Sequence, residues 1–287
     1  MGMRVAAESG GASRRAVLGF GAAALVSGAL AACAKERPAA PAAAPSTQSG
    51  PPPRPAPSAV PGAVHVETRQ AAPVLDRVDA PFEPITGLPG EGTLLAWTAD
   101  DGTDSAVVAA YAAFAAATGV RLTLFVTGCY DSWARNADAL RPLVDAGQVQ
   151  LANHTWSHAD LTSLDEAGIV DELTRTHDFL GETFGVDARP FYRPPFGYFD
   201  DRVIAAAASI GYTTPTLWYG SLADSGLVSE QQIVDLAGQW FLPQHIVIGH
   251  LNFAPVTNVF PQLHRIVVDR GLTTVTLNDV FRSEYHP

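Results

Sequence analysis

From Thr93 onward, two patterns of apolar positions alternate along the chain. Short apolar runs rich in β-branched and aromatic residues predict buried strands at 93–97, 122–126, 149–152, 191–193, 213–218, 246–248 and 273–277. Between them, apolar residues recur at three- and four-residue spacing and predict helices. These span 105–118, 136–146, 165–184, 200–210, 229–240 and 260–269. Ser105 stands where a cap is expected for the first helix, and Gly147 and Gly185 stand where a left-handed stop is expected. Seven strands with six intervening helices imply an α/β fold on a parallel sheet, either open and doubly wound or closed into a barrel. No internal repeat is visible.

Composition narrows the function classes. The 287 residues are 47% hydrophobic and 16% charged, enough for one large α/β domain or two small ones. A formal charge of −11 argues against nucleic acid as a partner, because phosphate binding needs clustered cations. Two cysteines exclude both a disulfide scaffold and a multi-cysteine zinc module.

The first third of the chain carries no periodic pattern. Residues 1–33 read as an export signal, with Arg4, Arg14 and Arg15 ahead of an apolar run from Ala16 to Ala32. Ser13-Arg14-Arg15-Ala16-Val17-Leu18 resembles a twin-arginine signal, and Leu30-Ala31-Ala32-Cys33 resembles a bacterial lipobox in which Cys33 bears the lipid. The alternative is cleavage at another small residue, which discards Cys33. Residues 34–63 are a Pro/Ala-rich linker, and nine of the 22 prolines fall between Pro38 and Pro61. At about 3.1 Å per residue, such a spacer could hold a domain up to roughly 80 Å from its anchor. Residues 64–91 form an N-terminal extension broken by Pro73, Pro81, Pro84 and Pro89, and 92–287 form the main domain. The expected location is the outer face of a bacterial cell membrane as a lipoprotein, or the medium if the lipobox is not used. Cys129 then remains as a single thiol, read as buried.

Residues suited to chemistry recur at the carboxyl ends of the predicted strands, where α/β folds build their sites. Asp100 and Asp101 follow the first strand, and His154 and His158 follow the third. Arg193 ends the fourth, Trp218 the fifth, and His250 follows the sixth. Each alone has an ordinary reading. Asp100-Asp101-Gly102 is a favoured turn, Arg193-Pro194-Pro195-Phe196-Gly197 a proline-stiffened loop, and His250 a core histidine. His154-x-x-x-His158 places two imidazoles one helical turn apart, able to reach one ion.

Taken in order, these segments resemble the polysaccharide deacetylase family, the NodB-homology (family 4) carbohydrate esterases. Thr98-Ala99-Asp100-Asp101-Gly102 resembles the family's Thr-Phe-Asp-Asp-Gly, and His154-Thr155-Trp156-Ser157-His158 matches its His-Ser/Thr-x-x-His. Arg193 to Phe196 is similar to Arg-x-Pro-Tyr, with Phe196 for Tyr, and Ile248-Gly249-His250 to Leu-x-His. The family's Asp-x-x-Asp-Trp motif has only a loose counterpart in Trp218 to Asp224.

The resemblance implies a distorted seven-stranded (β/α) barrel. It further implies a metal held by Asp101, His154 and His158, most often zinc, with Co(II), Mn(II) or Fe(II) as alternatives. Asp100 would be the general base acting on metal-activated water, and His250 the general acid. Phe196 would give a backbone oxyanion donor. Arg193 would tune the base with an acid for which Asp224 is the candidate, and Trp218 and Ile248 would line the substrate pocket. The implied activity is removal of acetyl groups from N- or O-acetylated cell-envelope or environmental polysaccharide. Two alternatives stay open: a non-catalytic glycan-binding lipoprotein on this fold, and another C–N amide hydrolase of the superfamily. No Gly-x-Ser-x-Gly elbow and no Lys-bearing phosphate loop supports a serine hydrolase or nucleotidase.

Overall fold

A computed structural model describes residues 69–284. The expected export signal, Cys33 and the linker over 34–63 lie outside the described residues. Among the described residues, no helix is long and apolar enough to cross a membrane.

One curved, wholly parallel sheet organises the chain. Its strands are β1 (Leu94–Asp101), β2 (Leu122–Val126), β3 (Val149–Asn153), β4 (Phe191–Tyr192), β5 (Thr214–Pro215), β6 (Gly220–Ser221) and β7 (His245–His250). They lie in the spatial order β5-β4-β3-β2-β1-β7-β6. A further two-residue strand, β8 (Thr273–Thr274), pairs with Leu94 and Leu95, on the side of β1 that β2 occupies higher up. The longer helices are α1 (Ser105–Thr118), α2 (Ala137–Asp145), α3 (Glu166–Phe184), α4 (Asp201–Ser209), α5 (Glu230–Trp240) and α6 (Phe260–Asp269). The expected α/β barrel is therefore present, as a curled sheet of seven strands.

The barrel is not closed by pairing of its own edges, β5 and β6. Residues 85–88 stitch the opening instead. The Ile85 N–H donates to the Pro215 carbonyl at 2.9 Å, Leu217 N–H returns to the Ile85 carbonyl at 2.8 Å, and Leu88 N–H reaches the Gln244 carbonyl at 2.8 Å. Part of the expected N-terminal extension is thus integral to the sheet.

Alternation along β1 explains how the site arises. Leu95, Trp97 and Ala99 face the helices and pack with Val108, Tyr111, Phe241 and Phe260. Ala96 faces the barrel interior with Phe125, Ala152, Phe191 and Ile246. Two residues per step along the same inward face come Thr98 and then Asp100, both buried. The interior is therefore apolar below and polar at its carboxyl rim. Register gathers that rim, since Asp100 pairs across to Phe125 and His250, and Asp101 to Val126, which is level with Asn153.

Several local expectations are corrected. β1 runs through Asp101, so both aspartates sit on the strand and not after it. Asp104, not Ser105, caps α1, its carboxylate accepting the Ala106 N–H at 2.8 Å. The expected strand at 213–218 shrinks to two residues, because the carbonyls of Thr216 and Leu217 turn to the Arg193 guanidinium. Cys129 is exposed, not buried. Strand β6 escapes a pattern search because two residues carry no period.

Candidate active site and metal centre

Asp101, His154 and His158 converge at the rim. One ligand atom from each lies within 4.8 Å of the others. The Nε2 atoms of both histidines are 3.4 Å from Asp101 Oδ1. Asp101 and His154 are oriented from behind. Asn252 Nδ2–H donates to Asp101 Oδ2 at 2.6 Å, and the Trp133 indole N–H holds the Asp101 carbonyl at 2.9 Å. The His154 Nδ1–H donates to the Arg193 carbonyl at 2.7 Å, which leaves a bare Nε2 lone pair facing Asp101.

The histidines are not one helical turn apart, as their spacing suggested. They lie on a loop after β3 in which Thr155 and His158 have φ of 68° and 60°. Glu172 of α3 holds this loop. Its carboxylate accepts the N–H groups of Trp156 at 2.9 Å and Ser157 at 2.8 Å, and the Ser157 hydroxyl at 2.7 Å. The two imidazoles thereby meet edge-on with centroids 4.9 Å apart.

Backbone strain is concentrated here. Of six non-glycine residues with positive φ among the described residues, Asp101, Thr155, His158 and Phe196 belong to the site, and Ala223 adjoins Asp224. Each costs on the order of 1 kcal/mol and persists only where surrounding contacts enforce it. Gly102, with φ 96°, is required for contact: a Cβ there would lie 2.5 Å from Trp133 Nε1. The Asp-Asp-Gly segment is thus shaped by the indole packed against it.

The donor set fits a divalent cation. Asp101 Oδ1 is buried and has no hydrogen-bond partner. Asp100 and Asp101 are buried side by side, with Arg193 as the only guanidinium ion-paired to them among the described residues, so one negative charge is left for a cation to offset. Burial pushes the Asp101 carboxyl up, but the adjacent His154 and His158 imidazoles and the Asn252 amide donor hold it well below the usual carboxylate range. Burial likewise lowers His154, yet Asp100 and Asp101 override it and raise its pKa. The pocket attracts positive charge. His158 moves the other way, lowered by its own burial and by neighbouring His154.

Around this centre, Asp100, Phe196, Trp218, Ile248 and His250 line a cleft of about 380 Å³, and Arg193 and Asp224 are buried outside its lining. Asp100 Oδ1 is 2.5 Å from Arg193 Nη1, and its Oδ2 is 3.5 Å from His154 Nε2. The Phe196 ring meets the His158 imidazole edge-on at 4.7 Å, with Phe196 at the tip of a one-turn helix, Pro195–Gly197. The expectation for Asp224 is corrected. It does not pair with Arg193; its Oδ1 accepts the His250 Nδ1–H at 3.0 Å. Burial lowers the His250 pKa, but the Asp224 hydrogen bond together with the charges of Asp100, Asp224 and Asp101 outweighs it, and the net shift is upward.

Sequence reasoning missed Asn252, Glu172 and Trp133. Asn252, two residues past His250, carried a signal through its place at the rim. Glu172 and Trp133 carried none, since Glu172 reads as an ordinary helical residue and Trp133 falls between a predicted strand and a predicted helix, in a segment with no pattern.

The sequence profile of the polysaccharide deacetylase family matches residues 88–215. Chitin deacetylase 1 of Cryptococcus neoformans is 48% identical over 69 residues, 24% of this chain and 14% of that protein. The chain spans about a third or less of the length of the first curated relatives it matches. Among solved structures, a family 4 carbohydrate esterase of Bacillus subtilis superposes with a TM-score of 0.62 at 20% identity, covering 69% of this chain and 85% of its own. A family 4 pseudoenzyme of Bacillus anthracis superposes with a TM-score of 0.61 at 17% identity, covering 69% and 68%. The fold is therefore one shared with solved family 4 carbohydrate esterases, and residues 88–215 match the polysaccharide deacetylase sequence profile.

Proposed function

We propose that the chain is a metal-dependent hydrolase that removes acetyl groups from N- or O-acetylated polysaccharide of the cell envelope or the environment. The observation that carries this reading is a single cleft. It presents a bare Asp101–His154–His158 donor set on one side and the Asp100–Arg193 and His250–Asp224 pairs on the other. Asp101, His154 and His158 would hold the cation, with zinc the first choice and Co(II), Mn(II) or Fe(II) compatible with the same donors. When bound, such an ion polarises the acetyl oxygen and acidifies water in its shell.

The protein's own groups do the rest. Asp100, whose charge the Arg193 guanidinium stabilises, accepts the proton of the attacking water. The acetyl carbon becomes tetrahedral, and the main-chain N–H of Phe196 donates to the oxyanion that develops. His250, held through Nδ1 by Asp224, delivers a proton from Nε2 to the departing amine as the C–N bond breaks. Trp218 and Ile248 give the acetyl methyl an apolar wall. With Cys33 lipidated and residues 34–63 as a spacer, the domain would work on the outer face of a bacterial membrane. The resemblance to chitin deacetylase supports an acetylated aminosugar polymer as the substrate class.

A pseudoenzyme among the structural neighbours favours one rival reading, a glycan-binding protein without turnover. The two separate in one assay. The full-length chain, loaded with zinc, is given acetylated chitooligosaccharides and peptidoglycan fragments, and free acetate is measured. Release that stops with a chelator and returns with zinc supports the hydrolase. Glycan binding without release at metal saturation overturns it.

A further inference from the structure

Three of the buried polar side-chain atoms that lack a hydrogen-bond partner lie in one region: Trp97 Nε1, Tyr111 Oη and Asp224 Oδ2. All three residues are almost wholly excluded from solvent, at 0%, 0% and 2% exposure. Trp97 and Tyr111 meet edge-on, with ring centroids 6.5 Å apart at 77°. Tyr111 Oη and Asp224 Oδ2 border the same small space over Gly249. A Cβ at that glycine would lie 3.4 Å from the first and 3.5 Å from the second. The absence of a side chain at 249 leaves the space beside both oxygens open.

Donor chemistry allows one direction of pairing. An indole N–H only donates, a carboxylate only accepts, and a phenol does both. Asp224 is an acid in a dry site, and among the described residues its one hydrogen-bond donor is His250, on Oδ1. Its Oδ2 therefore needs a donor, and leaving it bare is costly. Burial raises the Tyr111 pKa well above its ordinary value, and the Asp224 carboxylate raises it further, with the Trp97 indole N–H opposing. The phenol keeps its proton.

We infer that Trp97 and Tyr111 extend the His250–Asp224 pair into one buried hydrogen-bond chain. In it the Trp97 N–H donates to Tyr111 Oη, and the Tyr111 O–H donates to Asp224 Oδ2. Tyr111 is a positioning residue: it touches no substrate, and fixes the rotamer of Asp224 so that Oδ1 aims His250. The chain leads from helix α1 and the outer face of β1 to the proposed general acid. Its catalytic consequence rests on the deacetylase reading, whereas the hydrogen bonds themselves do not.

Two measurements test it in the full-length protein. In the unsubstituted chain, proton NMR should find a solvent-protected Tyr111 hydroxyl proton with a nuclear Overhauser contact to the Trp97 indole N–H. Tyr111→Phe should then shift or broaden the downfield His250 Nδ1–H resonance, identified by its loss in Asp224→Asn. Absence of the protected hydroxyl, or an unmoved His250 resonance in Tyr111→Phe, overturns the inference. Kinetics supply the second readout, because an amine must be protonated to leave whereas 4-nitrophenolate need not be. Tyr111→Phe should lower acetate release from acetylated chitooligosaccharides about tenfold, and lower 4-nitrophenyl acetate hydrolysis far less. Equal losses on both substrates would mean a packing defect and overturn the positioning role. If the unsubstituted protein releases no acetate from glycans, the deacetylase reading fails, and the NMR outcome still decides the chain.

Discussion

Arg193 Nη1 lies 2.5 Å from Asp100 Oδ1, with both side chains sealed from solvent. The guanidinium is fixed on three further acceptors, the Thr216 carbonyl at 2.8 Å, the Thr98 hydroxyl at 2.9 Å and the Leu217 carbonyl at 3.2 Å. It also stacks over Phe125 at 4.0 Å. One side chain therefore ties β1, β2, β4 and the segment after β5 together beneath the cleft, while offsetting the charge of the proposed base.

Replacing Arg193 by Met would leave the Asp100 carboxylate buried without its partner, which typically costs about 3–5 kcal/mol. For a domain of this size the melting temperature should fall by roughly 6–20 °C. Arg193→Lys should recover only part of this, because an ammonium cannot reproduce the planar fork that reaches four acceptors. Calorimetry on both variants checks the order. Equal stability of Lys and Met variants would refute a structural role for the fork.

Asp100 and Asp101 are adjacent, yet the geometry assigns them different partners. Asp101 Oδ1 faces two imidazoles, whereas Asp100 Oδ1 faces a guanidinium. Asp100→Asn should keep zinc binding close to that of the parent and lower acetate release by about 10²–10⁴-fold, as expected for loss of a general base. Asp101→Asn and His154→Ala should lose zinc affinity itself. Titration calorimetry with zinc separates the two classes before any activity is measured. Tight binding by His154→Ala would break the ligand assignment.

How much of this was legible in the sequence depends on how local each cause is. The strands and helices were legible because their apolar periods are local, and the rim residues because the alternation located carboxyl ends. What was not legible arises from contacts between distant segments. Nothing near Asp101 announces a left-handed backbone, which Trp133 and Asn252 enforce from 32 and 151 residues away. Motif order alone points Asp224 toward Arg193, whereas the pairing of β6 with β7 brings it beside His250.

Glu172 illustrates a remote cause with a measurable effect. Its carboxylate accepts three donors from the loop that carries His158, and contacts none of the proposed ligands. Glu172→Gln keeps the shape but turns one oxygen into an NH2 group that cannot accept. The loop should loosen, and zinc affinity should fall about 10–100-fold, the usual consequence of losing an outer partner of a metal ligand. Calorimetry on the variant checks this. Affinity within twofold of the parent would mean that the loop holds its shape without Glu172.

Acid sensitivity should have a contribution far from the cleft. Asp187 is raised by its partial burial, but Arg189 overrides this through hydrogen bonds from its main-chain N–H at 3.0 Å and Nε at 2.9 Å, and the net pKa is lowered. A carboxyl whose folded pKa lies below its unfolded value favours the folded state above the unfolded pKa. That contribution disappears as the pH falls through the folded value. Asp187→Asn lacks it at every pH. The variant should therefore be less stable than the parent at neutral pH, by no more than about 1 kcal/mol because the pair is partly solvated. The difference should shrink toward zero as both proteins are taken into strong acid. Urea midpoints measured from neutral to acid pH give the two curves, and a gap that stays constant with pH would show that the Asp187 charge makes no contribution to stability.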